Sequence, residues 1–238
     1  MALNSPPKPD RCLMVFVRHP EPGKVKTRLA KAYGDHFAAE LYGYFVDDLL
    51  EALERGSYRL EIVFTPAEKE LEIRRRFGGR FSYIPQEGEG LGERMEKAFL
   101  SCFAKGFATT LLIGSDFPDL TAEVIEQAFH ALENRHDAVV GPAFDGGYYL
   151  IGFRPATFDP GVFKEMPWGK STVCNKTVNR LHALGYRIHL MQAWHDIDTG
   201  EDLAALQARH DNTRFSRSRT MTFLRNRLGT SSLGRKDL

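Results

Sequence analysis

Four separated stretches of this 238-residue chain carry side chains suited to phosphate and cation chemistry. The first is Arg18-His19-Pro20-Glu21-Pro22-Gly23-Lys24-Val25-Lys26-Thr27-Arg28-Leu29, directly after an apolar run at residues 13–17. Arg18, Lys24, Lys26 and Arg28 would repel one another without an anionic partner, which suits a phosphate-binding loop; a solvated charged turn is the alternative. The second is Gly114-Ser115-Asp116-Phe117-Pro118-Asp119, where another apolar run stops and an acid follows. Open α/β sheets place ligand chemistry at the carboxyl ends of central strands. Asp116 therefore reads either as holding a divalent cation against nucleotide phosphates or as a turn former.

The third stretch is Ala143-Phe144-Asp145-Gly146-Gly147-Tyr148-Tyr149, between two β-prone runs. Asp-Gly-Gly is a hairpin signal, so Asp145 serves turn chemistry, or it opens on the same crevice as Asp116. The fourth is Trp194-His195-Asp196-Ile197-Asp198-Thr199-Gly200. Side chains alternate along an extended segment, so Asp196 and Asp198 share a side. They offer a second carboxylate for a cation, or they cap and solvate. An EF-hand is excluded by the lack of a further Asp or Asn before the glycine. Arg94, following the glycines of Gly88-Glu89-Gly90-Leu91-Gly92, sits off the apolar helical stripe and can reach the site of the basic loop. Gly169-Lys170-Ser171 is not a P-loop, because that motif needs a glycine where Lys164 stands, and a preceding strand.

The elements that must position these groups alternate between strand and helix. Apolar runs predict strands at residues 13–17, 60–64, 81–84, 109–113, 137–142 and 186–191, with a further strand after the Asp145 turn. Helical stripes follow Asp35 (read as a cap), lie over residues 68–77 and 91–103, and follow Thr121 with Leu120 and Ile125 as a hydrophobic staple. Two more helices are predicted over residues 171–184 and after Thr199, where Thr199 and Asp202 approximate a capping box. Residues 158–168 read as a short mixed segment. Such alternation implies an α/β fold with a mainly parallel sheet.

Composition narrows the function classes. Hydrophobic residues at 42% and charged ones at 26% suit a globular domain, and a formal net charge of +1 suggests no nucleic-acid, membrane or acidic partner. Cys12, Cys102 and Cys174 show no zinc spacing, and reduced thiols are expected, with Cys102 a small core residue. The Pro-rich polar start resembles no secretory signal, and no apolar run approaches a membrane span, so a cytoplasmic protein is expected. One domain over residues 1–210 is expected, then a basic segment over 211–238. That segment reads as an appended helix, a homodimer arm or a lightly ordered tail.

The motifs above, taken in order from Phe16-Val17-Arg18 to Asp196-Ile197-Asp198-Thr199, resemble a bacterial family of glycosyltransferase-A-like proteins. Its members are provisional nucleotide-diphospho-sugar transferases, some linked to arsenosugar biosynthesis. The resemblance spans residues 13–207 and implies a three-layer α/β/α, Rossmann-like fold with a mainly parallel mixed sheet. That fold is similar to phospholactate guanylyltransferase and molybdenum-cofactor guanylyltransferase. It implies a transferase that moves a sugar from a nucleotide sugar to a small-molecule acceptor with Mg²⁺ or Mn²⁺. Arg18, Gly23, Lys24, Lys26, Arg28 and Arg94 would bind nucleotide and phosphate, and Asp116 and Asp198 the metal. Asp116 and Asp145 would be catalytic, and Asp119, Gly146, Gly147 and Tyr148 would bind substrate. The family's metal-binding Asp-x-Asp departs here, because Gly114 replaces its first acid. The alternatives are a nucleotidyltransferase releasing pyrophosphate and a non-catalytic nucleotide-binding subunit.

Overall fold

A computed structural model describes residues 10–229. Its seven-stranded sheet consists of β1 (Arg11–Arg18), β2 (Arg59–Thr65), β3 (Ser82–Pro85), β4 (Thr109–Ile113), β5 (Ala138–Pro142), β6 (Tyr148–Phe153) and β7 (Ile188–Leu190). The order is β3-β2-β1-β4-β6-β5-β7; β6 is antiparallel to both neighbours and every other pairing is parallel.

The period-2 alternation of β1 divides the core. Leu13, Val15 and Val17 face one layer, where α2 (Asp35–Leu53), α5 (Ala122–Asn134), α7 (Gly200–His210) and α8 (Arg219–Leu228) contribute their apolar stripes. Cys12, Met14 and Phe16 face the other, where α4 (Leu91–Ala104) and α6 (Val173–Ala183) pack. This is the three-layer α/β/α arrangement that the family resemblance implies.

Several local expectations need correction. The basic stretch is not wholly irregular, since Thr27–Tyr33 forms α1, anchored by the fully buried Leu29. Lys26 precedes it in a left-handed conformation (φ 47°, ψ 44°), and its carbonyl accepts the Ala30 N–H at 2.8 Å. Gly34 (φ 88°), rather than Asp35, occupies the cap position of α2. Two chain directions must meet there, and glycine tolerates the positive φ that this junction requires. Residues 67–77 split into a 3₁₀ turn and α3 (Glu70–Phe77). Thr121 sits at the cap position of α5 but makes no side-chain capping bond. The capping box at α7 is present, with Thr199 and Asp202 each accepting the other's N–H.

Among the described residues of the basic C-terminal segment, α8 packs on α2, burying Met221, Phe223 and Leu224. Asp48 of α2 accepts the Arg219 and Thr220 N–H groups at 2.9 and 2.8 Å, satisfying donors at the helix start. Arg235, Lys236 and Asp237, and the Pro-rich start, lie outside the described residues. No described helix is long and apolar enough to cross a membrane.

Candidate nucleotide and cation site

A cleft of about 600 Å³ lies where β1 and β4 end and the β5–β6 turn comes up beside them. At its centre Lys26 joins two distant loops. Its Nζ lies 2.5 Å from Asp116 Oδ1 and 2.7 Å from Asp198 Oδ1, and its side chain is only 3% exposed. Burial works against the ammonium, but attraction to Asp116 and Asp198 outweighs it and raises the Lys26 pKa. The two carboxylates are open to the cleft, at 44% and 36% side-chain exposure.

A backbone hydrogen bond joins the two acid-bearing loops. The Asp116 carbonyl accepts the Ile197 N–H at 3.1 Å, and Ile197 is fully buried. Asp202 accepts the Asp198 N–H at 3.1 Å, fixing that loop against the start of α7. Behind Asp116, the Ser115 hydroxyl meets the Tyr42 hydroxyl at 2.7 Å, and Tyr42 accepts the Arg18 N–H at 3.0 Å. Burial, with Asp116 nearby, pushes the Tyr42 phenol up to about 12, so it stays neutral.

The structure gathers most of the sequence-derived candidates here: Arg18, Lys24, Lys26, Arg94, Asp116, Asp145, Gly147, Tyr148 and Asp198 all line the cleft. Arg18 donates to the Lys24 carbonyl at 3.2 Å and Arg94 to the Gly88 carbonyl at 2.9 Å, so each also braces its loop. Asp145 combines both of its readings. It lines the cleft, and its Oδ1 accepts the Gly147 N–H at 2.8 Å. Arg28 stays at the rim, mostly exposed, with Nη1 at 3.9 Å from Asp198 Oδ2.

Besides Arg28, three candidates stand outside the lining. Gly23 shapes the basic turn at φ 75°. Gly146 (φ 89°) packs against backbone, since a Cβ there would lie 2.1 Å from the Ser171 carbonyl oxygen. Asp119 is buried, with Trp194 Nε1 donating to it at 2.9 Å and His210 Nε2 at 2.8 Å, and with Arg209 in a looser ion pair at 3.8 Å. Its carboxylate joins the Trp194 segment to α7 and does not face the cleft.

Other lining residues escaped the sequence reading. Lys170 and Trp168 come from the segment before α6, and Thr65 and Gln86 from the ends of β2 and β3. Asp196 lines the cleft with Asp198, as their alternation implies, although only Asp198 stands among the expected ligands. Burial, with Asp145 and Asp198 nearby, pushes the Asp196 carboxyl up to about 6. In sequence Lys170 stands out only within Gly169-Lys170-Ser171, which is no P-loop; its segment meets the β5–β6 turn through a long-range bond, the Gly146 carbonyl accepting the Cys174 N–H at 2.9 Å.

The comparisons agree with this architecture. A crystal structure from Desulfovibrio desulfuricans G20, named provisionally as a nucleotide-diphospho-sugar transferase, shares 40% identity and a TM-score of 0.88. The match covers 91% of this chain and 94% of that one. The 4-diphosphocytidyl-2C-methyl-D-erythritol synthase of Anaerococcus prevotii DSM 20548 matches at 10% identity and TM-score 0.54, over 85% of this chain and 100% of that one. A CMP:2-keto-3-deoxy-manno-octonic acid synthetase complexed with CTP matches at 11% identity and TM-score 0.53, over 84% of this chain and 98% of that one. At such identities the last two show a common fold. No protein of curated function matches the sequence significantly. Residues 49–170 match the family described as "Uncharacterized protein conserved in bacteria (DUF2064)". With that match and the Desulfovibrio relative together, the chain belongs to the bacterial DUF2064 family.

Proposed function

We propose that this protein is a nucleotide-sugar-dependent glycosyltransferase, with the diphosphate at the centre of the cleft and the acceptor toward Asp145 and Asp196. The observation that carries this reading is the convergence of Asp116 and Asp198 on one cation beside a basic loop. Their oxygens already share a positive centre, the Lys26 ammonium, so the donor set suits Mg²⁺ or Mn²⁺. Such ions need only one or two protein carboxylates and take their remaining ligands from phosphate and water. The kinship with the Desulfovibrio protein, by its provisional name, points to the same donor class.

Breaking a sugar–phosphate bond leaves negative charge on the departing diphosphate. Arg18, Lys24, Arg94 and Lys170 surround the space where that charge would develop, and preorganised positive groups lower such a barrier. A bound cation would add charge neutralisation at the phosphate oxygens. Asp145 and Asp196 are the carboxylates at the acceptor end. A carboxyl near 6 is still mostly ionised at neutral pH yet basic enough to take a proton from an acceptor hydroxyl. Tyr148 and Trp168, in edge-to-face contact at 6.4 Å, form an apolar wall beside them.

Calorimetry with nucleoside diphosphates and Mn²⁺, on wild type and Asp116→Ala, tests the central assignment. Metal-dependent binding should weaken by roughly tenfold or more on loss of a ligand. Unchanged metal-dependent binding in the variant would remove Asp116 from the site. Assays with nucleotide sugars should then detect diphosphate release. Pyrophosphate release from a triphosphate would instead assign nucleotidyl transfer.

A further inference from the structure

Lys26 is an unusual lysine. Long cationic side chains normally carry their charge into water, yet this one is 3% exposed while both acids it joins stay open to the cleft. The ammonium holds Oδ1 of each carboxylate from the inner side, over the ring of Phe45 at 5.9 Å. Both acids are nonetheless open to the cleft, at 44% and 36% side-chain exposure, and Arg28 approaches Asp198 Oδ2 only loosely, at 3.9 Å. A divalent ion coordinating both acids would be brought close to the ammonium. Like charges sharing the same oxygens repel strongly where water is scarce.

The backbone at this point is anchored. The Lys26 carbonyl is tied to Ala30, and its neighbours Val25 and Leu29 are buried. Any adjustment must come from the four-carbon side chain, which reaches toward a cleft already holding Arg18 and Lys24.

We propose that Lys26 is a resident counter-ion which exchanges with the incoming metal: without nucleotide its ammonium offsets part of the negative charge of Asp116 and Asp198, and when the cation arrives with a diphosphate it leaves the acids for the phosphate oxygens. This rests on the functional reading above and adds a binding order to it. Metal alone competes with Lys26 and binds weakly. Metal delivered with a nucleotide supplies the anion that accepts the displaced ammonium, so metal and nucleotide bind with positive linkage.

The direct experiment is Mn²⁺ titration of the full chain without nucleotide, followed by the electron paramagnetic resonance of free Mn²⁺. Lys26→Met and Lys26→Gln, checked for folding by circular dichroism, should bind Mn²⁺ at least tenfold more tightly than wild type. The added affinity should vanish when Asp116→Asn is introduced as well. Nucleoside diphosphate affinity should fall in the same Lys26 variants. Lys26 variants that bind Mn²⁺ no better than wild type overturn the exchange. The wild-type chain gives a readout that needs no Lys26 variant. In ¹⁵Nζ-lysine spectra, the ammonium signal displaced by Asp116→Asn should move when Mg²⁺ and a nucleoside diphosphate are added together. A signal that stays in place also overturns it. If neither diphosphates nor triphosphates bind the wild type with any metal, the functional reading fails, whereas the metal-only titration still decides whether Lys26 guards the acids.

Discussion

Replacing Gly146 by alanine tests whether a glycine outside the cleft lining nonetheless builds the cleft. Its φ of 89° disfavours any L-side chain, at a cost of about 1–2 kcal/mol. The new Cβ would lie 2.1 Å from the Ser171 carbonyl oxygen and 2.5 Å from its Cα, atoms that no rotamer change can move aside. The segment leading into α6 must therefore shift, straining the 2.9 Å bond from the Cys174 N–H to the Gly146 carbonyl, worth about 1 kcal/mol net. Together these give a loss of about 2–3 kcal/mol. For a domain of this size that lowers the melting temperature by roughly 4–12 °C. Gly147→Ala is the control: its Cβ meets only the Asp145 side chain, at 3.1 Å, and should cost less than about 1 kcal/mol. Gly146→Asn separates the two contributions, since asparagine tolerates positive φ but keeps the Cβ. Thermal melts of the three variants suffice. An unchanged melting temperature for Gly146→Ala, or full rescue by asparagine, would refute the claim that backbone contact dominates. Because Trp168 and Lys170 ride on the displaced segment, ligand affinity should fall along with stability.

Two further outcomes are expected. Gly114 has no positive φ, and a Cβ there would find only the Phe117 ring at 3.5 and 3.9 Å. Gly114→Asp should therefore fold normally and, by adding an acid near the cation, raise Mn²⁺ affinity by roughly tenfold; a calorimetric titration showing no gain would place position 114 out of reach of the ion. Asp137 accepts the Arg187 N–H at 3.0 Å, with Arg187 Nε at 3.3 Å and Arg154 at 3.2 Å, and these contacts lower its pKa. A carboxyl with a depressed native pKa contributes stability above its unfolded value of about 3.9, and that contribution is lost as pH falls through the native value. Denaturant titrations should thus show Asp137→Asn less stable than wild type at pH 7, with the difference closing toward pH 3. A gap unchanged at pH 3 would mean that the contact is not ionic.

The parts of this protein that were legible in the sequence are those specified by short-range pattern. Leu13, Val15 and Val17 alternate with Cys12, Met14 and Phe16, and a strand apolar on both sides belongs in a covered sheet. Thr199 and Asp202 announced the start of α7 because a capping box is complete within four residues. The helix α1 was hidden by the prolines and charges before it, and its one buried anchor, Leu29, gives no periodicity. Asp119, which the family resemblance places among the substrate-binding residues, could not be located by pattern, because its partners Trp194, Arg209 and His210 arrive from distant sequence.

Lys26 shows the same limit within the site. Its sequence neighbours make it one of four basic side chains in a solvated-looking loop, equivalent to Lys24. The fold separates them: Lys24 remains exposed at the cleft wall, whereas Lys26 is driven inward by its left-handed backbone and by the buried residues beside it. Two carboxylates from far along the chain then make that burial tolerable, because an ammonium out of water survives only when paired. The same bridge keeps Asp116 and Asp198 together, since the carbonyl of one loop and the N–H of the other are already joined through Ile197. A site assembled in this way carries a counter-ion before any ligand arrives. Its chemistry therefore depends less on how many acids it owns than on what can displace the lysine.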